Sequence, residues 1–138
     1  MGSGQVDLGS EPVVLLVEDD VLIRFTVAEM LREEGYVVLE AVNASEALAM
    51  IATRQQIDVV LSDVRMPGDI DGIALAAEIK AIRPHLPVAL VSSHLPAGVH
   101  HKADGFLAKP FRLSELLELV LSLVGSEWRS RRSSLGAS

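Results

Sequence analysis

Side chains capable of phosphoryl chemistry follow four of the five apolar, strand-like runs in this chain. Glu18 and Asp19 come after the first run, Asp63 after the third, Ser92 after the fourth and Lys109 after the fifth. In an open parallel sheet, ligands bind beyond the carboxyl ends of the strands, so these groups should meet in one crevice. Carboxylates, a hydroxyl and a lysine in one crevice suggest a divalent metal and a phosphoryl group.

The elements that must position these residues alternate between strand and helix patterns. The apolar runs predict strands at 13–17, 37–40, 58–62, 88–91 and 105–107. Helical patterns cover 21–34, 44–53, about 72–82 and 113–124. In the first helix, Ile23, Val27, Met30 and Leu31 share the face expected to point inward. This alternation predicts an α/β fold with a parallel sheet covered on both faces and right-handed crossovers.

Length and composition set limits on the class of protein. A chain of 138 residues with no cysteine fits about one domain and needs no disulfides. The net charge of −7 disfavours nonspecific nucleic-acid binding, and no apolar stretch reaches the roughly 20 residues that span a bilayer. We expect a disordered leader or cloning remnant at 1–11, a domain at 12–125 and a flexible tail at 126–138.

The order of these motifs resembles the receiver domain of two-component response regulators, known as CheY-like domains. An acidic pair, a lone aspartate before Met66-Pro67-Gly68, a serine at a strand end and Lys109-Pro110-Phe111 occur in the family's order. The resemblance covers about 13–124. It implies a cytoplasmic, flavodoxin-like three-layer sandwich with strand order 2-1-3-4-5, phosphorylated by a histidine kinase or a histidine phosphotransfer protein.

The resemblance and the chemistry agree on a phosphoacceptor and a magnesium site. Asp63 is the expected nucleophile, since carboxylates can form aspartyl-phosphates. Mg²⁺ prefers oxygen ligands and is often held by one or two carboxylates. The family pattern makes Glu18 and Asp19 the acidic pair, with Asp20 just outside it. It also implies that Asp63 and the backbone carbonyl of Arg65 are metal ligands.

Further roles follow from the resemblance alone. Lys109 and Ser92 would stabilise the phosphoryl oxygens, and Ser92 would also move with them as part of the switch. Phe106 stands where many relatives carry a tyrosine that turns inward on activation. Arg65 and His94 occupy positions that tune the rate at which water removes the phosphoryl group.

Each of these residues also has an ordinary structural interpretation. The acids after the first strand could cap a helix, and Asp63 could begin the turn at Pro67-Gly68. Lys109 could be solvated, and Ser92 could be a strand-end hydroxyl without a role. A zinc site among the histidines is disfavoured, because the adjacent His100 and His101 would point in different directions on a helix.

The chain departs from the family pattern where the fourth of the family's five helices is expected. Only 16 residues separate Ser92 from Lys109, and the stretch 96–102 contains proline and glycine with little helical periodicity. We therefore expect that helix to be short, irregular or mobile. The last helix, 113–124, is apolar around most of its circumference, which predicts either a homodimer surface or coverage by Trp128 and the tail.

Three functions remain open from the sequence. The first is a phosphorylation-controlled switch that signals through protein contacts without an attached output domain, is not an enzyme on an external substrate, and needs no nucleic acid or membrane. It could stand alone, shuttle phosphoryl groups or come from a hybrid histidine kinase. The second is a phosphate-independent binding module. The third is a Mg²⁺-dependent phosphohydrolase, although such enzymes usually carry an acid where this chain has Arg65.

Overall fold

The computed structural model describes residues 11–53, 56–94 and 102–137, with residues 126–137 described as backbone only. Five parallel strands form one sheet in the order β2-β1-β3-β4-β5. They are β1 (Val13–Val17), β2 (Val37–Ala41), β3 (Val59–Asp63), β4 (Val88–Ser92) and β5 (Gly105–Ala108). The expected fold class and strand order are confirmed.

Four helices connect or follow these strands within the described residues. They are α1 (Val21–Glu33), α2 (Ala44–Thr53), α3 (Gly72–Ile82) and α4 (Leu113–Ala137). Asp20 caps α1 by accepting hydrogen bonds from the backbone N–H groups of Leu22 and Ile23. Such a cap satisfies backbone donors that lack partners inside the helix.

Two apolar clusters cover the two faces of the sheet. One cluster joins β-strand residues such as Leu15 to α2 and α3 through Ile51 and Ile79. The other joins strand residues such as Leu61 to α1 and α4 through Leu31 and Leu116. All five residues of β1 are buried, as a central parallel strand requires. Burying one such aliphatic side chain stabilises the fold by about 1.5–3 kcal/mol.

The inward face predicted for α1 is only partly correct. Val27 and Leu31 are buried, but Ile23 is 41% exposed. Ile23 lies in the first turn of α1, beside the crevice at the strand ends, where none of the described elements covers it fully. Apolar periodicity marks a helix face but not where the covering structure stops.

The last part of the domain was predicted in outline. α4 is interrupted at Gly125, because a φ of 85° is non-helical. Gly125 directly follows the helix predicted at 113–124. The irregular segment predicted at 96–102 lies, apart from Lys102, outside the described residues. The domain limits at 12–125 stay a prediction. No helix in the described part of the chain is long and apolar enough to cross a membrane.

Candidate functional site

Strand pairing brings the predicted site residues to one edge of the sheet. Val17, the last residue of β1, pairs with Ser62, so Glu18 follows β1 beside Asp63. Asp63 in turn pairs with Val91, directly before Ser92. Because all strands are parallel, their carboxyl ends open on the same crevice.

Three carboxylates converge in this crevice. Glu18, Asp19 and Asp63 each offer an oxygen atom, and these oxygens lie within 4.8 Å of one another. Glu18 is buried, Asp63 is partly buried and Asp19 is exposed, so the group opens to solvent on one side. A set of oxygen donors with an open side suits Mg²⁺, which keeps several waters when bound to proteins. The donor set therefore fits the metal that the sequence predicts.

Glu18 is the most constrained of the three acids. Its backbone N–H donates to the carbonyl of Ala41 at 3.0 Å, and its Oε2 accepts from the backbone N–H of Asp20 at 3.0 Å. Burial raises the pKa of Glu18, and the nearby charges of Asp63 and Asp19 raise it further, against the hydrogen bond from Asp20 and the charge of Lys109. Negative charge in this crevice is therefore unfavourable until positive charge compensates it.

Lys109 supplies positive charge on one side of the crevice. Its Nζ lies 3.2 Å from Asp63 Oδ1, with side chains 29% and 12% exposed respectively, and 3.9 Å from Glu18 Oε1. The backbone N–H of Lys109 donates to the carbonyl of Ser92 at 3.0 Å. The structure thus brings together the lysine and the acids that the sequence groups at the strand ends.

Ser92 is close in the fold but its hydroxyl is engaged elsewhere. Its Oγ donates to the carbonyl of His94 at 2.9 Å and accepts from the backbone N–H of His94 at 3.1 Å. The side chain is buried. The hydroxyl therefore lies at the predicted strand end with its hydrogen bonds made locally.

The backbone around Asp63 is restrained by the side chain of Ser62 and by the start of α3. Ser62 Oγ donates to the Asp63 carbonyl at 2.9 Å, and the Gly72 N–H donates to the Val64 carbonyl at 2.8 Å. A Cβ atom on Gly72 would lie 2.2 Å from the Asp63 carbonyl oxygen and 2.8 Å from Val64 Cα. Glycine is therefore needed for α3 to approach this closely.

The remaining predicted residues surround the crevice. Arg65 and His94 line an open cavity of about 440 Å³, together with Val64, Met66, Asp71 and Ile73. Phe106 lies on β5, pairs with Leu90 and is 37% exposed. It therefore occupies an outward position in this structure. Arg24 and Gly72 were not predicted as site residues, because their contacts depend on how close separate elements come.

The comparisons with known proteins agree with this geometry. The sequence model of the response regulator receiver domain matches residues 14–121. The chain is 37% identical over 116 residues to the C4-dicarboxylate transport transcriptional regulatory protein DctD of Rhizobium meliloti, covering 80% of this chain and 25% of DctD. The chain thus spans about a quarter of that relative's length.

Solved structures match over the same region. The response regulator protein TrrA from Thermotoga maritima, in complex with Mg(2+)-BeF, has a TM-score of 0.72 and 32% identity, covering 81% of this chain and 98% of TrrA. The receiver domain of the hybrid histidine kinase CckA has a TM-score of 0.69 and 36% identity, covering 81% of this chain and 98% of that domain. With strands, acids and lysine in the expected places, the chain belongs to the response regulator receiver domain family.

Proposed function

We propose that this domain is a phosphorylation-controlled switch of two-component signal transduction, with Asp63 as its phosphoacceptor. The observation that carries the proposal is the ion pair of 3.2 Å between Lys109 Nζ and Asp63 Oδ1, next to the cluster of three carboxylates. A lysine beside a partly buried aspartate and an oxygen-rich cation site would supply the positioning and the positive charge on which phosphoryl transfer depends.

The reaction is a displacement at phosphorus. A carboxylate oxygen of Asp63 forms the new O–P bond, while the N–P bond of the donor phosphohistidine breaks and its electron pair stays on the imidazole. Lys109 Nζ stabilises the phosphoryl oxygens by charge. When bound, Mg²⁺ supplies further positive charge against those oxygens. Glu18, Asp19, Asp63 and the Arg65 carbonyl are the proposed metal ligands.

The switch is proposed to begin at Ser92. The phosphoryl group adds about −1.5 to −2 charge and strong acceptors, which would draw the Ser92 hydroxyl away from the His94 backbone. The segment after β4 would follow, and Phe106, now 37% exposed, would turn inward. Because phenylalanine cannot form a hydrogen bond, its inward preference would rest on burying the 37% of the side chain that is exposed, worth roughly 0.5–1 kcal/mol as the corresponding share of a full burial.

An exposed apolar patch supports docking of a protein donor beside the site. The α1 patch consists of Val21, Leu22 and Phe25, which are 69%, 71% and 59% exposed. α1 starts directly after the acidic loop, which consists of Glu18, Asp19 and Asp20, so a partner on this patch would lie next to Asp63. A histidine kinase or a histidine phosphotransfer protein is the proposed partner, since the transferred group must come within bonding distance of that carboxylate.

Arg65 and His94 are proposed to tune the lifetime of the phosphoryl group. Both line the open cavity of about 440 Å³ next to the Asp63 segment, through which water can approach. Their size and charge would decide how easily a water molecule reaches the phosphorus. Phosphorylation of Asp63 is thus proposed to be reversed by the domain itself, through attack of water on the phosphoryl group. We propose no external substrate for the domain.

Self-association through α4 has less support from the packing. Leu116 and Val120 are fully buried, while Leu113 and Leu121 are about 40% exposed. Within 113–125, the part of α4 whose side chains the structure describes, a surface of two such leucines is small for a stable dimer. A cytoplasmic location, and signalling through protein contacts rather than nucleic acid or membrane, complete the proposal.

Intact-mass spectrometry after incubation with acetyl phosphate tests the proposal. We expect the wild-type protein to gain the mass of one phosphoryl group when Mg²⁺ is present and not in excess EDTA. Asp63→Asn is expected to gain none under either condition. Equal phosphorylation of Asp63→Asn would place the acceptor elsewhere, and no gain in the wild type would support the phosphate-independent binding module.

Turnover of an added phosphate ester would instead support the phosphohydrolase. The position two residues after Asp63, where such enzymes usually carry an acid, is the exposed Arg65. An arginine cannot donate and recover a proton at neutral pH. We therefore expect no turnover of the ester. If this domain comes from a hybrid histidine kinase, we expect the same result in the mass assay and in the ester assay.

A further inference from the structure

Arg24 joins the acidic loop to the neighbouring helix and strand. It lies in α1, and its side chain is 14% exposed. Its Nη1 donates to the backbone carbonyl of Glu18 at 2.9 Å, and its Nε donates to Glu40 Oε1 at 3.1 Å. One guanidinium therefore contacts two elements besides its own.

The contact on the Glu18 carbonyl bears on the metal site through the backbone. That carbonyl belongs to the peptide unit between Glu18 and Asp19, which is planar. Its orientation therefore sets the direction in which Asp19 leaves the loop. The other side of Glu18 is held by its N–H bond to the Ala41 carbonyl at 3.0 Å, so Arg24 completes the restraint.

Glu40 holds the guanidinium in place. This residue lies on β2 and pairs with Leu16 of β1. Its second oxygen, Oε2, accepts from Arg32 Nη2 at 3.0 Å, and the same Arg32 nitrogen donates to the Val38 carbonyl at 2.9 Å. Glu29 also pairs with Arg32, at 3.2 Å, so the two glutamates together offset the charges of Arg24 and Arg32. We therefore expect the effect of Arg24 on the site to be geometric rather than a matter of net charge.

We propose that Arg24 is a positioning residue for the cation site, fixing the Glu18–Asp19 peptide so that both carboxylates face Asp63. This inference rests on the proposed function. A lysine keeps the charge but offers a single nitrogen, which cannot reproduce the two directed bonds of the planar guanidinium. Arg24→Lys therefore tests the geometry while leaving the charge in place.

A Mg²⁺ titration followed by amide chemical shifts measures the effect directly. Outer partners of metal ligands typically contribute about 10-fold or more to metal affinity, so we expect Arg24→Lys to raise the Kd for Mg²⁺ by about 10-fold. The matched control is Arg32→Lys, which alters an arginine of the same helix that binds Glu40 but not the acidic loop. Its Kd should stay within about twofold of the wild-type value.

A rate measurement separates positioning from general destabilisation. With acetyl phosphate as donor, the Mg²⁺ concentration for half-maximal phosphorylation of Arg24→Lys should rise by about 10-fold, while the rate at saturating Mg²⁺ stays near that of the wild type. A lower saturating rate with an unchanged Mg²⁺ requirement would overturn the inference. Equal Kd values for Arg24→Lys and Arg32→Lys would overturn it as well.

Glu40→Gln provides a second variant should Arg24→Lys not fold. It removes the charged anchor of Arg24 without touching the acidic loop, and we expect a Kd raised more than about twofold. A Kd equal to that of the wild type would count against the proposal. A wild-type protein that shows no Mg²⁺-dependent shifts would refute the proposed function itself, whereas a normal wild type with unaffected variants would refute only the role of Arg24.

Discussion

Replacing Gly72 by alanine should disturb phosphorylation through the backbone of the acceptor. The added Cβ would lie 2.2 Å from the Asp63 carbonyl oxygen. To reach 3.0 Å, α3 and the Asp63 segment must move apart by roughly 0.8 Å, and overpacking of this kind costs about 1–3 kcal/mol. A misplacement near 1 Å can lower a rate by about 100-fold, so we expect a large fall in phosphorylation by acetyl phosphate.

Two measurements and one control test this reasoning. A loss of 1–3 kcal/mol lowers the melting temperature of a domain this size by about 4–12 °C. Gly35→Ala is the matched control, because Gly35 has a φ of +98° and a Cβ added there would meet nothing within 4 Å. It should lose about 1 kcal/mol through backbone strain and keep the wild-type rate. An unchanged phosphorylation rate in Gly72→Ala, or an equally large fall of that rate in Gly35→Ala, would refute the steric argument.

Three further predictions concern the acids, the lysine and the α1 patch. Because the pKa of Glu18 is raised above 4.5, its contribution to the free energy of unfolding without Mg²⁺ is greatest below that pH and is lost as pH rises through the folded pKa. Urea denaturation at a series of pH values should show that Glu18→Gln no longer loses this stability as pH rises, and the variant should also bind Mg²⁺ more weakly. A pH dependence of stability equal to that of the wild type would contradict the raised pKa of Glu18. Lys109→Met should phosphorylate about 100-fold more slowly yet still show Mg²⁺-dependent amide shifts, and a wild-type rate would exclude its role. Phe25→Ser should slow transfer from a phosphohistidine protein but not from acetyl phosphate, and equal slowing with both donors would argue against docking.

The architecture and the meeting of the site residues could be predicted from sequence. Apolar runs that end in polar groups fix both the strands and the edge at which they open, so Glu18, Asp63 and Lys109 were correctly expected in one crevice. Strand ends shifted by a residue, as in β3, which was predicted at 58–62 and found at Val59–Asp63. Pairing with the neighbouring strands, rather than apolarity, decides those ends.

Contacts between distant side chains could not be predicted. Arg24 binds Glu40 sixteen residues away, and Lys80 binds Asp104 across twenty-four residues. Such pairs depend on strand register and helix rotation together, and an arginine in this chain has several acids at comparable sequence distance. The hydroxyl direction of Ser92 was equally hidden, since it depends on the path of the backbone at His94.

The hydrogen bond between the Lys109 N–H and the Ser92 carbonyl, 3.0 Å long, has a mechanical consequence. It connects the backbones of the two residues whose side chains are proposed to bind oxygens of the same phosphoryl group. A displacement of either side chain is therefore transmitted to the backbone at the end of β4 and to the backbone that follows β5. It also reaches β5 itself, which ends at Ala108, one residue before Lys109. Phe106, whose ring points outward on that edge strand, would then respond to a movement of Ser92 without contacting the phosphoryl group itself.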